Sequence, residues 1–301
     1  MTQRILTLLS GLIFLGGAAL AAEPVNGGID LQPAATSIME DVRWLHNYWL
    51  MPIITIISLV VMALLGYVMW RYSAKRNPVA KKFSHNTTVE VVWTVVPVLI
   101  LIAIAFPSFQ LLYYKETIPQ DVAEADIVNI KTTGWRWYWT YDYPESADGA
   151  GDDFQIISNM IWDEDLEPHH VRNLSVDYPM VVPEDRVVRL YVAGADVIHS
   201  WAMPSFGIKM DAIPGRLNEV WFRVEDAGRY FGQCSEICGI RHAFMPIEVR
   251  ALPQAQYDQW LAVARDDLDA ANALLDQFQP QFSGAQMASL SLTDAQGSLA
   301  Q

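Results

Sequence analysis

Two apolar runs without a charged side chain, Tyr48 to Trp70 and Val91 to Tyr114, constrain this chain more than any other feature of its 301 residues. Each exceeds the ~20 residues a helix needs to cross a hydrocarbon core, where no other open structure satisfies its own backbone. Tyr48, Trp49, Tyr67 and Trp70 bracket the first run, as aromatics do at a membrane interface. Pro52 falls near its start, where a missing N–H costs least. Pro97 and Pro107 lie inside the second and predict a kink or a local loosening.

Between the runs stand Arg71, Lys75, Arg76, Lys81 and Lys82, with no acid before Glu90, which puts this loop in the cytoplasm and both flanks outside. The N-terminus agrees. Arg4, the apolar run Ile5 to Leu20, and Ala19-Leu20-Ala21 before Ala22 form a signal-peptide pattern, so residues 1–21 are expected to be removed. The alternative is an uncleaved first anchor, for which the run is short. The chain then divides into the signal (1–21), an exported segment (22–46), a two-helix membrane hairpin (47–115), an outer domain (116–252) and a C-terminal region (253–301).

A hydrophobic content of 52% excludes general disorder, and the net charge of −14 argues against a nucleic-acid partner. The charge is unevenly placed. After Lys115 there are 29 acids against 12 bases, a net −17, a field that attracts a basic partner or simply keeps the domain soluble.

From Asp126 onward the pattern is of short β-rich runs: Ile127 to Ile130, Trp135 to Tyr143, Val187 to Val192, Glu219 to Val224 and Pro246 to Val249. Turn clusters such as Pro183-Glu184-Asp185 and Asp226-Ala227-Gly228 separate them, which predicts a β-sandwich or Greek-key barrel. The acidic stretch Glu145 to Glu167 has no clear period and reads as a long loop. Gln254 to Phe278 reads as one C-terminal helix, and the Ser/Gln/Ala-rich residues after Pro280 as a loose tail.

Both cysteines of the chain fall in the segment Cys234-Ser-Glu236-Ile-Cys238-Gly-Ile-Arg-His242-Ala-Phe-Met245. A Cys-x3-Cys pair in an exported protein is commonly a disulfide or redox pair, and zinc is a second claimant. An imidazole and a thioether at these offsets shift the balance to copper, which prefers such soft ligands. Two thiolates can bridge a pair of copper ions, each of which then needs only terminal ligands. His199, in Asp196-Val-Ile-His199-Ser-Trp201 at the end of a β-rich run, supplies the remaining imidazole.

Those motifs, together with Asp211-Ala-Ile-Pro-Gly-Arg216 and the aromatic run Trp137-Tyr-Trp-Thr-Tyr141, resemble subunit II of the haem-copper cytochrome c oxidases over roughly residues 38–262. The resemblance implies a mixed membrane protein: a two-helix transmembrane hairpin carrying an all-β, cupredoxin-like Greek-key sandwich, with a C-terminal helix. It implies a dinuclear copper centre bridged by Cys234 and Cys238, with His199 and Met245 on one ion and His242 and the Glu236 carbonyl on the other. By the same likeness the Glu236 side chain binds magnesium or manganese at the contact with the catalytic subunit. Haem belongs to partner subunits.

Trp137 corresponds to the tryptophan that receives electrons from cytochrome c, although period-two alternation with Trp135 and Trp139 would make it a core residue. Asp142, Asp177 and Asp196 correspond to carboxylates facing that cytochrome. Glu90 corresponds to a glutamate near a proton-uptake path; otherwise an acid at a helix start suits the dipole. Trp135-Arg136 departs from the histidine or tyrosine and glutamine of many relatives. The implied function is electron transfer from cytochrome c to the catalytic subunit I, coupled to oxygen reduction and proton pumping. The implied location is the inner membrane of a bacterium, with both termini and the copper domain on the periplasmic side. The rivals are a copper chaperone or thiol oxidoreductase, a copper-free quinol-oxidase subunit, and a nitrous oxide reductase copper domain.

Overall fold

The computed structural model describes residues 24, 27–79, 82–144 and 153–278. The expected signal peptide and the tail after Pro280 lie outside the described residues. Helix α1 (Ser37–Trp44) continues through a π-helical turn (Leu45–Leu50) into α2 (Met51–Arg71). Helix α3 (Thr87–Glu116) returns, unbroken through Pro97 and Pro107. None of the most apolar window of either rod is buried within the chain, and both are long and apolar enough to cross a membrane.

The first rod begins eleven residues before its uncharged run, and the extra length has a use. A 35-residue rod from Ser37 to Arg71 extends on the order of 50 Å, more than a bilayer core needs. Its first turns are spent on the outer domain. Ala35 N donates to Ser205 O at 2.9 Å, Thr36 Oγ1 donates to Phe206 O at 2.9 Å, and Thr36 also caps α1 by accepting from Met39 N. Ile38 joins Ile127, Val187 and Trp221 in a small apolar cluster. The outer end of α3 closes the same corner, with Tyr114 Oη 2.9 Å from Ser37 Oγ and its ring edge-on to Trp221.

The domain contains β1 (Val128–Trp135), β2 (Tyr138–Tyr143), β3 (Phe154–Ser158), β4 (Met180–Pro183), β5 (Val187–Gly194), β6 (His199–Met203), β7 (Ile208–Ala212), β8 (Asn218–Arg223), β9 (Gly228–Gln233) and β10 (Pro246–Leu252). One sheet has the order β3-β2-β1-β5-β8, a second β4-β10-β9, and β6-β7 form a hairpin. The β1–β5 and β4–β10 pairs are parallel and the others antiparallel. Trp139, Tyr141, Trp201, Phe206 and Phe222 are buried between these layers. Phe206, its ring 4.9 Å from Phe222 and 5.1 Å from Tyr230, shows how densely they pack.

Three sequence expectations need correction. Trp135 to Tyr143 is two strands, because Trp135 pairs with Tyr138 and leaves Arg136-Trp137 as the turn between β1 and β2. The stretch Glu145 to Glu167 contains β3, whose partner is the aromatic strand β2. The C-terminal helix is two, α4 (Gln254–Ala264) and α5 (Leu268–Phe278), since Asp267 caps the new helix by accepting from Ala270 N at 3.0 Å. Both pack on the core through Tyr257, Trp260, Ala271 and Leu275.

Candidate metal centre

Strands β9 and β10 are antiparallel neighbours, and their last pair, Gln233 with Pro246, leaves residues 234–245 as a loop closed at its base. Cys234 N donates to Met245 O at 3.3 Å across that base. Ser235 N donates to Ser200 O, tying the loop to β6, where His199 is the first residue and not the end of the preceding run. His199 reaches the loop by lying against β1 at Gly134. A Cβ there would stand 2.9 Å from the His199 side chain, so only glycine admits it.

The two sulfurs are 4.0 Å apart and not joined. His199 Nδ1 is 3.9 Å from Cys234 Sγ, and His242 Nδ1 is 3.6 Å from Cys238 Sγ. Met245 Sδ is 3.4 Å from Cys238 Sγ and Glu236 O is 3.4 Å from Cys234 Sγ. Cys234, Cys238, Met245 and His199 are buried, and the donor atoms of His199 and the two cysteines all lie within 4.8 Å of one another. All six expected ligand positions therefore converge. The Glu236 side chain instead turns outward, 3.9 Å from Lys209 Nζ and about half exposed.

Burial opposes ionisation of Cys234, but hydrogen bonding from His199 and from neighbouring backbone wins and lowers its pKa. Burial and then the Cys234 sulfur push Cys238 up. Two adjacent thiolates in a dry loop need a cation to ionise together, and a set of two thiols, two imidazoles and a thioether suits a soft redox metal such as copper.

Behind His199 stands Asp196, whose Oδ1 is 2.9 Å from Nε2. That contact fixes the ring so that Nδ1 faces the sulfurs. Burial would raise the Asp196 pKa, yet hydrogen bonds from His199, Val197 N and Arg136 hold it down at about 2. Asp196→Ala is expected to weaken copper retention about 10- to 100-fold, measured by chelator competition.

Trp137 sits half-buried at the β1–β2 turn, and its Nε1–H donates to Cys238 O at 3.2 Å. Its ring faces Gly239, where φ is +123° and a Cβ would meet the indole at 3.2 Å. Trp137 packs against the edge of the core from this half-buried position, whereas Trp139 is the fully buried member of the series, donating to Met245 O. The remaining acids have structural partners. Asp142 pairs with Lys131 and accepts from Gln155, and Asp177 accepts from Asn159 and Tyr178 backbone. Glu90 accepts from Asn86 N while Asn86 caps α3. Sequence reasoning gave no role to Arg241, which lies 6.0 Å from the Trp137 ring centre, or to Trp162 and Phe244, of which Trp162 adjoins Arg241 and Phe244 adjoins Trp162.

Comparison with known proteins matches residues 128–252 to the family model "Cytochrome C oxidase subunit II, periplasmic domain" and residues 24–111 to "Cytochrome C oxidase subunit II, transmembrane domain". The chain is 47% identical over 242 residues to the probable cytochrome c oxidase subunit 2 of Rickettsia conorii, covering 80% of this chain and 73% of that one. It is 41% identical over 259 residues to cytochrome c oxidase subunit 2 of Cereibacter sphaeroides, covering 82% and 83%. Among solved structures, the periplasmic domain of subunit II (CoxB) of Bradyrhizobium japonicum is 47% identical, covering 49% of this chain and 99% of that one with a TM-score of 0.43.

Proposed function

The chain belongs to the cytochrome c oxidase subunit II family, and on that premise we propose that it accepts electrons from cytochrome c and passes them towards haem in the catalytic subunit. Oxygen reduction and the associated proton pumping then take place in that partner. The observation that carries this reading is the convergence of His199, Cys234, Cys238, His242, Met245 and Glu236 O around two unjoined sulfurs. A pair of copper ions held there would supply a one-electron relay.

The chain's own residues do the rest. The closed β9–β10 base and the Ser200 contact hold the sulfurs in a stiff, buried loop, which keeps their positions nearly constant whatever the charge between them. Trp137 offers a flat, partly exposed indole to a docking protein, and its hydrogen bond to Cys238 O links that surface to the backbone of a residue that would hold the copper. Glu236 faces outward for magnesium or manganese shared with the catalytic subunit. Asp142, Asp177 and Asp196 belong to the acidic field that steers the cytochrome. Glu90 borders the proton-uptake path. The membrane hairpin anchors the domain on the periplasmic face of a bacterial inner membrane, with both termini outside.

Copper counting and electron paramagnetic resonance on the purified full chain test the centre; two ions per chain and a mixed-valence spectrum are expected, and a single bound ion would refute it. Trp137→Ala should keep that spectrum and slow electron uptake from cytochrome c by an order of magnitude or more. Unchanged uptake would place the point of arrival elsewhere.

A further inference from the structure

The turn that joins the two membrane rods carries more structure than its topology requires. Arg71, Lys75, Arg76, Lys81 and Lys82 lie between the apolar runs with no acid before Glu90. Charge of that sign orients a hairpin, and Arg71 in the last turn of α2 also suits the helix dipole. Neither use dictates where the guanidinium groups rest, yet both are laid against rings. The guanidinium carbon of Arg76 is 4.4 Å from the centre of the Trp70 ring, and that of Arg71 is 5.7 Å from the centre of the Tyr72 ring.

Backbone contacts hold this arrangement. The N–H groups of Arg76 and Asn77 both donate to Ser73 O, at 2.9 and 3.0 Å, and Asn77 Nδ2 donates to Arg71 O at 2.7 Å. The chain therefore folds back over the end of α2 and carries Arg76 onto Trp70. Tyr67 joins the rings from one turn earlier, its centre 6.5 Å from that of Trp70 and 6.2 Å from that of Tyr72. Trp70 and Tyr72 are more than half exposed, and Arg71 and Arg76 are exposed with them. Among the described residues no carboxylate pairs with Arg71, Lys75, Arg76 or Lys82. A guanidinium stacked by its face leaves its N–H edge free, a planar fork that matches two oxygens of a phosphate. Val79 and Phe83, both largely exposed, add apolar side chains beside the cations, a mixture suited to the boundary between headgroups and acyl chains.

We propose that Trp70, Arg71 and Arg76 form a site for the phosphodiester headgroup of an anionic phospholipid at this end of the hairpin. The interfacial rings set the depth, the stacked guanidinium groups take the phosphate oxygens, and the neighbouring lysines add an attraction without direction. The site needs only that both helices span; its assignment to the cytoplasmic leaflet rests on the orientation proposed above.

The test uses the full chain in neutral detergent micelles, with bound lipid counted by native mass spectrometry near physiological ionic strength during titration with phosphatidylglycerol or phosphatidylcholine. One phosphatidylglycerol should bind saturably, about five-fold or more tightly than phosphatidylcholine. Arg76→Gln should weaken it about five-fold, the contribution of one base beside an anionic headgroup. Trp70→Leu changes no charge and should weaken it roughly two- to five-fold, the size of an exposed cation–π contact. Arg76→Lys should fall between the intact chain and Arg76→Gln, because it keeps the charge and loses the fork. Both positions are exposed, so circular dichroism of each variant should match that of the intact chain. Equal affinity for the two lipids overturns the proposal. So does a Trp70→Leu chain that binds like the intact one, which would leave only the diffuse charge of the loop. Millimolar inorganic phosphate should not displace the lipid; displacement would make this a free-phosphate site and overturn the proposal as well. Micelles are blind to sidedness, so failure of the orientation alone leaves these constants unchanged and shows instead as labelling of an Ala74→Cys chain from the periplasmic side.

Discussion

Cys234→Ser is expected to leave the full chain unable to hold more than one copper ion and without a mixed-valence spectrum. Cys234 Sγ lies 3.9 Å from His199 Nδ1, 3.4 Å from Glu236 O and 4.0 Å from the second sulfur, so it touches half of the donor set, as Cys238 Sγ touches the other half. A serine hydroxyl does not ionise in this pH range and is a poor ligand for a soft metal. The fold should survive, because the loop base is held by backbone contacts of Cys234 and Ser235 that the substitution leaves in place. Cys238→Ser should behave alike. His242→Asn should cost less, since His242 is only half-buried and contacts one sulfur. Copper per folded chain, with circular dichroism as the folding control, distinguishes these outcomes. A Cys234→Ser protein that kept two ions and the wild-type spectrum would remove the basis of the bridged centre. A thiol oxidoreductase would make a different demand: it would need the two cysteines but be indifferent to Met245, whose thioether is within 3.4 Å of Cys238 here.

The parts of this molecule legible in the sequence were those in which one residue type has one physical use. Uncharged runs can only span, and two thiols, an imidazole and a thioether on one loop can only converge if the loop closes on itself. What escaped was set by pairing between distant segments. The Trp135–Tyr143 run alternates like one strand and contains no glycine, proline or asparagine to mark a turn. Only the Trp135–Tyr138 pairing shows that Trp137 leaves the sheet. β3 hides in an acidic stretch because its short alternation, Gln155 and Ile157 exposed and Ile156 and Ser158 buried, is fixed by edge pairing with the distant strand β2 and not by its neighbours in sequence. The break between α4 and α5 is written as Asp266-Asp267, but a helical apolar period continues through it and masks the cap. His199 opens β6 instead of ending a strand because β5 and β6 are both apolar, and the turn between them contains Asp196, which orients the ring.

Glu248→Ala should be the most destabilising single change outside the sulfur loop, about 3–5 kcal/mol and on the order of 10 °C in melting temperature. Glu248 is fully buried, with its Oε1 3.1 Å from Arg229 Nη2 and 2.9 Å from Arg250 Nε, while Oε2 accepts from Val176 N at 3.2 Å. Arg229 in turn donates to His169 O and Ser175 Oγ, so the group joins β9 and β10 to the 169–176 segment. Removing the carboxylate strands two guanidinium groups in the core. Replacing all three charges together, with Glu248→Val, Arg229→Leu and Arg250→Met, should cost far less or nothing, because no buried charge is then left unpaired. Acid should act on the intact triad in one direction. Burial raises the Glu248 pKa, but Arg250, Arg229 and the Val176 N–H outweigh it, and the folded value lies below the ordinary 4.5. The stabilisation is therefore complete above pH 4.5 and is lost as pH falls through the lowered folded value, a loss the Glu248→Ala protein should not show. Urea melts of both proteins across that range, with copper absent so that ligand binding does not mask the difference, provide the measurement. Since β9 and β10 also carry the two ends of the sulfur loop, the weakened protein should release copper faster on warming. A variant with a lowered melting point and an unaltered release rate would separate the triad from the centre it borders.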